Sequence, residues 1–360
     1  MLEQAARRLG FAACGAIPAG EYPDRERFLS WLAQGFHGDM HWLARDPARR
    51  TDPRLVLEGC RSVVVAVMNH YPGELPPRPD DAPRGRIARY ALGLDYHDVV
   101  LERLRDLARE LDDPAARCYV DTGPVLERSV AEAAGIGWVG KNANFLVPGM
   151  GSYGFLGVIL TRRTLPYSPP GRVSCGTCAA CLPACPTGAI VAPGRVDTRR
   201  CISYLTIELR GAVPRELRPM VGDWVFGCDD CQEPCPWNRK APATSEPEFR
   251  PLADRVWPRL DELLGLTRED FAARFRGSPV KRAKRAGLAR NAAIALGNSD
   301  DLRAVGPLRQ ALEADPDPLV RGHSAWALGR LDDLLGLRTA LATERDPGVR
   351  EEIDAALAGS

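Results

Sequence analysis

The 360-residue sequence lacks an excess of charge of either sign: 48 Lys and Arg stand against 47 Asp and Glu, a formal net charge of +1. A protein that gathers nucleic acid through its overall field is thereby excluded, although a local basic patch is not. Long hydrophobic runs are also missing. The longest, from Val63 to Met68, is far short of the roughly 20 apolar residues that a bilayer-crossing helix needs. The first residues, Met1-Leu2-Glu3-Gln4-Ala5-Ala6-Arg7-Arg8, mix acid and base where a secretory leader has an apolar block. The expectation is a cytoplasmic protein with no membrane partner. There is no aromatic-rich RNA-reading signature of the RRM kind. With 45% hydrophobic and 26% charged residues the balance is that of a folded chain, and the length allows two or three domains.

Cysteine is what the sequence has in plenty. There are eleven, and a reducing cytosol does not maintain disulfides. Cys14, Cys60 and Cys118 are scattered and read as small buried hydrophobes. The other eight form two groups, Cys175-x2-Cys178-x2-Cys181-x3-Cys185-Pro186 and Cys201 followed by Cys228-x2-Cys231-x3-Cys235-Pro236. In two-cluster ferredoxin domains the cysteine before proline leaves its own loop and reaches the other cluster. That rule assigns one [4Fe-4S] cluster to Cys175, Cys178, Cys181 and Cys235. It assigns a second to Cys185, Cys201, Cys228 and Cys231. Cys201 sits 27 residues before Cys228, so an insertion must bring one ligand back to its partners. A pair of zinc sites is the alternative, but zinc has no need of the Cys-Pro step.

Three regions follow from the pattern. Residues 1–165 read as α/β, with strands at 61–69, 117–120 and Gly154–Thr161 and helices at 96–111 and 125–134. Residues 166–240 are a ferredoxin-like domain with two [4Fe-4S] clusters. Residues 241–360 hold a linker and helical HEAT-like repeats: Arg290-Asn291-Ala292-Ala293-Ile294-Ala295-Leu296-Gly297 recurs at Arg321 and, more weakly, at Arg350, offsets of 31 and 29 residues. Just before the first copy, residues 276–290 contain Arg276, Lys281, Arg282, Lys284, Arg285 and Arg290 and no acid. Such a stretch is expected to hold an RNA backbone; a solvated helix face is the plainer reading.

The chain resembles the epoxyqueuosine reductase family, tRNA-modifying enzymes that complete queuosine at the wobble position. The resemblance lies in Asp95-Tyr96-His97, Asp121-Thr122-Gly123, the run from Ala131 to Trp138, Gly140-Lys141-Asn142 and Gly151-Ser152-Tyr153. It extends through the eight cysteines, the run from Arg200 to Thr206 and the HEAT-like tail. It implies a cobalamin held over a flavin-reductase-like α/β domain, with two [4Fe-4S] clusters delivering electrons from an external donor. The cobalamin signature Asp-x-His-x-x-Gly begins at Asp95 and His97 but ends in Val100. The resemblance implies instead a cobalamin without a histidine ligand of that type, with His97 lining its pocket.

The implied reaction removes an epoxide oxygen as water, using two electrons and two protons. No side chain is a two-electron reductant, so a cofactor supplies that part. Charge develops on oxygen as the ring opens, and Asp121 is the expected proton donor. To serve near neutrality its pKa would have to rise from about 3.9, through burial away from cations. Lys141, Asn142 and Asn144 are expected to face the corrin amides, with Ser152 and Tyr153 at the other edge and Arg50 and Ser203 nearby. Arg128 is expected to contact substrate or tRNA phosphate, a surface ion pair being the alternative. The implied partners are a tRNA with a GUN anticodon and an unidentified electron donor, and a monomer is expected. Two other readings stand beside this one: a reductive dehalogenase-like enzyme, which would carry an export signal and a catalytic tyrosine, and a non-catalytic two-cluster electron carrier.

Overall fold

The segment Ser62–Asn69 is apolar and β-branched on both faces, so it can be buried only as a strand covered on both sides. In the computed structural model, which describes residues 2–171 and 173–359, this segment lies inside a four-stranded sheet. The strands are β1 (Ala13–Pro18), β2 (Ser62–Asn69), β3 (Arg117–Tyr119) and β4 (Gly154–Thr161), in the order β1-β2-β4-β3 with every neighbour antiparallel. β2 and β4 pair along their whole lengths, from Ser62 opposite Thr161 to Asn69 opposite Gly154. The chain divides into two compact units. The first comprises Met1–Gly73, Gly93–Arg199 and Asp229–Arg250; the second comprises Glu74–Leu92, Arg200–Cys228 and Pro251–Ser360.

In the first unit, helix α1 (Tyr96–Arg109) covers the sheet. Val100, Leu104 and Leu107 recur at helical spacing and are fully buried. Asp95 is the N-cap, its Oδ1 accepting from the His97 amide at 3.2 Å. Helix α2 (Glu127–Ala133) follows the turn after β3 and buries Val130 and Ala131 against β2 and β4. A hairpin of Trp138–Val139 and Phe145–Leu146 then presents residues 140–144 as its loop. The sheet of this α/β part is antiparallel.

In the second unit, helix α3 (Ile202–Ile207) and the strand Trp224–Phe226 pack on a helical array. The array is α4 (Lys284–Gly297), α5 (Val305–Ala314), α6 (Pro318–Arg330), α7 (Leu334–Thr343) and α8 (Pro347–Ala358). Asp317 and Asp346 cap α6 and α8, each followed by proline at the first helical position, so the repeated Asp-Pro marks helix starts. The repeated glycines have a packing cause. A Cβ on Gly297 would lie 2.8 Å from Ala327, and one on Gly329 would lie 2.7 Å from Ala356, so α4, α6 and α8 can touch only through glycine. Helix α4 is buried from Gly287 to Gly297, which makes it the centre of the array. Among the described residues no helix is long and apolar enough to cross a membrane.

Candidate active site

Strand β3 ends at Tyr119, and two residues later Asp121 takes a left-handed backbone conformation, φ +57°. The Thr122 amide turns back to the Val120 carbonyl at 2.6 Å, and a Cβ on Gly123 would sit 2.4 Å from the Tyr119 ring. This tight turn holds the Asp121 side chain outward, 68% exposed. The Tyr96 hydroxyl donates to Asp121 Oδ2 at 2.7 Å. The His97 Nε2 lies 3.7 Å from the same oxygen, and its Nδ1 lies 2.7 Å from Oδ1 of the buried Asp95. Ring stacking fixes Tyr96: it lies 4.1 Å from His97 and 4.2 Å from Phe155, centroid to centroid.

The proton in this group sits on histidine. Burial works against a charged His97, but hydrogen bonds and charge from Asp121 and Asp95 outweigh it and push its pKa up to about 9. Burial would likewise raise Asp121, yet hydrogen bonds from His97 and Tyr96, with the charges of His97 and Arg128, hold it below the ordinary carboxylate value. The expected upward shift of Asp121 is therefore corrected: the cations assumed absent are His97 and Arg128. Asp121 and His97 share one acidic proton, held on the imidazole.

Arg50 bridges this turn to a neighbouring segment, donating from Nη1 to the Gly123 carbonyl at 3.1 Å and from Nη2 to the Trp42 carbonyl at 3.3 Å. Arg128, exposed, donates to the Ala143 carbonyl in the hairpin loop. Glu127, which belongs to no sequence motif, is raised to about 8 by burial and then by the charge of Asp121. Its only signal in the sequence is its place at the start of a helix, six residues after Asp121.

The cysteine segment is braced from the same loop. The Lys141 ammonium donates to the Gly176 carbonyl at 2.9 Å, and the Trp138 indole donates to Cys175 Sγ at 3.3 Å. Asn144 Nδ2 donates to Cys231 Sγ at 3.7 Å, and the Ala189 amide donates to Cys185 Sγ at 3.3 Å. Such N–H···S contacts are those that tune iron–sulfur sites. Cys175, Cys178 and Cys235 all lie within electrostatic reach of Cys181, the grouping that the spacing rule gave for the first cluster. Among the described residues no three ligating side chains converge tightly enough for a single metal ion, and a cubane spaces its four thiolates around its own corners. Cys185 and Cys231 belong to the first unit; Cys201 and Cys228 belong to the second.

Several of the residues expected near the corrin have partners within the protein. Asn142 donates to the Cys231 carbonyl at 3.2 Å, and Ser152 is bound to Gln232 at 2.8 Å and to Asn238. Tyr153, 3% exposed, stacks on Tyr71 at 4.5 Å. Asn142 and Ser152 thus brace the 229–250 segment, and Tyr153 packs against Tyr71. Ser203 lies on α3 of the second unit. Cys14 and Cys118 are strand residues whose thiols burial pushes up to about 12 and about 11, as inert packing requires.

The acid-free stretch at 276–290, which runs into α4, is also corrected, because its acids arrive from elsewhere. Arg290 is fully buried, and Arg285 pairs with Asp315 at 2.5 Å, the two side chains 9% and 7% exposed. Arg282 pairs with Glu208 at 2.9 Å. Lys281 and Lys284 remain at the surface.

The chain as a whole matches proteins of one kind. Residues 50–122 match the family described as epoxyqueuosine reductase QueG, residues 174–238 match a 4Fe-4S double cluster binding domain, and residues 281–358 match HEAT repeats. The epoxyqueuosine reductase of Pseudomonas aeruginosa is 42% identical over 90% of this chain and 92% of its own. That of Xanthomonas campestris is 40% identical over 90% of this chain and 94% of its own. A crystal structure of epoxyqueuosine reductase with an epoxyqueuosine-modified tRNA-Tyr stem loop superposes with a TM-score of 0.92 at 32% identity, covering 99% of this chain and 97% of that one. One from Bacillus subtilis, its catalytic aspartate loop swung out of the active site, matches with the same score, identity and coverage. By sequence and by structure, this chain belongs to the epoxyqueuosine reductase family of oxidoreductases.

Proposed function

We propose that this enzyme reduces epoxyqueuosine to queuosine at the wobble position of tRNAs with a GUN anticodon, the last step of queuosine formation. The observation that supports this most directly is the Asp121, His97 and Tyr96 constellation, within a chain whose relatives carry that name. Two [4Fe-4S] clusters, ligated by Cys175, Cys178, Cys181 and Cys235 and by Cys185, Cys201, Cys228 and Cys231, would relay electrons from an external donor one at a time.

The residues fit a cobalamin that has no histidine ligand. Both ring nitrogens of His97 face carboxylates, Asp95 and Asp121, so the ring has no lone pair to offer cobalt. When bound, the cofactor would supply the low-valent metal nucleophile that no side chain can. Arg50, Lys141 and Asn144, with the edges of His97 and Asp121, would hold it. Asp121 then delivers to the epoxide oxygen the proton it shares with His97, while Tyr96 holds the carboxylate in line. The electron-carrier reading leaves this constellation without a purpose, and the relatives named above are epoxyqueuosine reductases.

The test is anaerobic turnover of epoxyqueuosine-containing tRNA by protein carrying about eight irons and one cobalt. Nucleoside analysis should show queuosine replacing its epoxide. Fully loaded protein that leaves the epoxide intact overturns the reading.

A further inference from the structure

Removing an epoxide oxygen as water consumes two protons for every two electrons, and the Asp121 and His97 pair holds one. The first unit contains a second store beside it. Glu127 opens helix α2, around the turn from Asp121, and its Oε1 is sealed from solvent with no hydrogen-bond partner. The charged and titratable groups facing it are Asp121, Arg50, Arg128 and the buried Tyr22. Neither arginine neutralises it through a hydrogen bond. Arg50 is spent on the Gly123 and Trp42 carbonyls, and Arg128 is spent on the Ala143 carbonyl. Ionised, Glu127 would place a bare negative oxygen in a buried site beside a second carboxylate; protonated, it leaves only an unpaired neutral group.

We propose that Glu127 rests in its carboxylic acid form and supplies the second proton of the deoxygenation by reloading Asp121. This rests on the epoxide-reducing function proposed above. The balance is as follows. The first carbon–oxygen bond breaks as the oxygen takes the proton shared by Asp121 and His97. The Glu127 O–H bond then breaks as its proton moves to the emptied Asp121. The second carbon–oxygen bond breaks as that proton completes water, and the two electrons from the external donor end in the new carbon–carbon double bond. Between turnovers Glu127 reloads through Asp121, whose carboxylate is open to water. It touches no reacting atom, so it is a positioning and proton-holding residue. Burial, and after it the charge of Asp121, push its pKa up to about 8, which keeps the acid form dominant at neutral pH.

Glu127→Gln keeps the size and neutrality of the resting group and removes the mobile proton. In the loaded holoenzyme, single-turnover reduction of epoxyqueuosine-containing tRNA should slow by about tenfold or more. The parent enzyme is expected to lose rate on the alkaline side from near pH 8, and in Glu127→Gln that limb should move up to the His97 limb near pH 9. Iron and cobalt content and tRNA affinity should not change. Infrared difference spectra of the parent enzyme should show a protonated carboxyl band that Glu127→Gln lacks and that Glu127→Asp shifts but retains. Glu127→Asp should also regain part of the rate and the alkaline limb. A parent enzyme without the carboxyl band, or Gln and Asp variants that share the parent pH profile, overturns the proposal. If the parent enzyme itself does not reduce the epoxide, the function reading fails, while the infrared band still decides whether Glu127 is protonated.

Discussion

The chain treats its charge at Arg290 and its charge at Asp121 in opposite ways. Arg290 is wholly buried, and its five N–H groups meet five acceptor contacts: the carbonyls of Leu205, Leu209 and Gly211, and Asn291 Oδ1 twice. Asn291 completes the network by donating to the Thr206 and Val225 carbonyls at 2.8 Å each. Burial and the nearby charges of Arg210 and Arg218 work against the guanidinium, but its intrinsic basicity keeps it protonated. His323, also buried, is held neutral, its Nδ1 at the Leu319 carbonyl and its Nε2 accepting from the Val213 amide. Around Asp121 the backbone is left-handed, the carboxylate is open to water, and Glu127 keeps a bare oxygen. A saturated network fixes one geometry and leaves no polar atom open. An incomplete one leaves protons free to move, and that is where chemistry is possible.

The contrast can be broken by substitution, and the largest effect belongs to the open site. Asp121→Asn should lower epoxide reduction by more than about a hundredfold while iron and cobalt content stays intact. Turnover at the parent rate in that variant would remove Asp121 from the chemistry. Arg290→Met should leave three carbonyls and Asn291 unsatisfied and cost about 3 kcal/mol or more, read as a lowered unfolding midpoint with unchanged rate per folded molecule. Arg285→Ala strands the buried Asp315 and should cost about 3 kcal/mol in the same assay. A loss of tRNA affinity from Arg285→Ala without loss of stability would restore that residue to the RNA surface.

A pH series sharpens the comparison further. Because the folded pKa of His97 is raised from 6.5 to about 9, its contribution to stability is complete below about pH 6.5 and is lost as pH rises through 9. His97→Asn should flatten the pH dependence of the denaturant midpoint in that window, and a nuclear magnetic resonance titration of the histidines checks the value directly. The smallest effect is expected at the surface of the second unit. With Arg285 and Arg290 committed inside and Arg282 paired, neutralising Lys281 and Lys284 together should reduce the salt slope of tRNA binding by no more than about 2. An unchanged slope would place the tRNA elsewhere.

Much of the architecture was legible in the chain because it depends on local pattern. Gly154–Thr161 is a strand with the bounds its apolar run implies, and the helix beginning at Tyr96 starts where Asp95 caps it. The repeat period and the cysteine spacing are likewise sequence-local. What was not legible depends on residues far apart in the chain. Nothing near Arg290 says that carbonyls 79 to 85 positions earlier will surround it, and nothing near Arg285 shows Asp315 folding back on it. The direction of the Asp121 shift turned on His97, 24 residues away, and on a 3.7 Å approach that no motif encodes. The partners of Ser152 and Tyr153 were hidden for the same reason: they are Gln232 and Asn238 for the one and Tyr71 for the other.

The interleaving of the two units has a consequence for biosynthesis. Segment Asp229–Arg250 completes the first unit, bringing Phe249 edge-on to Phe155 at 5.1 Å and Glu246 and Glu248 to Arg103. A ribosome that has finished the strands has therefore not finished the unit, and Cys175, Cys178 and Cys181 emerge at least 54 residues ahead of Cys235. If these four form one set, as proposed, the first three thiols wait for their fourth until the chain has grown past Cys235, and no single cut through the chain separates the two units into contiguous pieces.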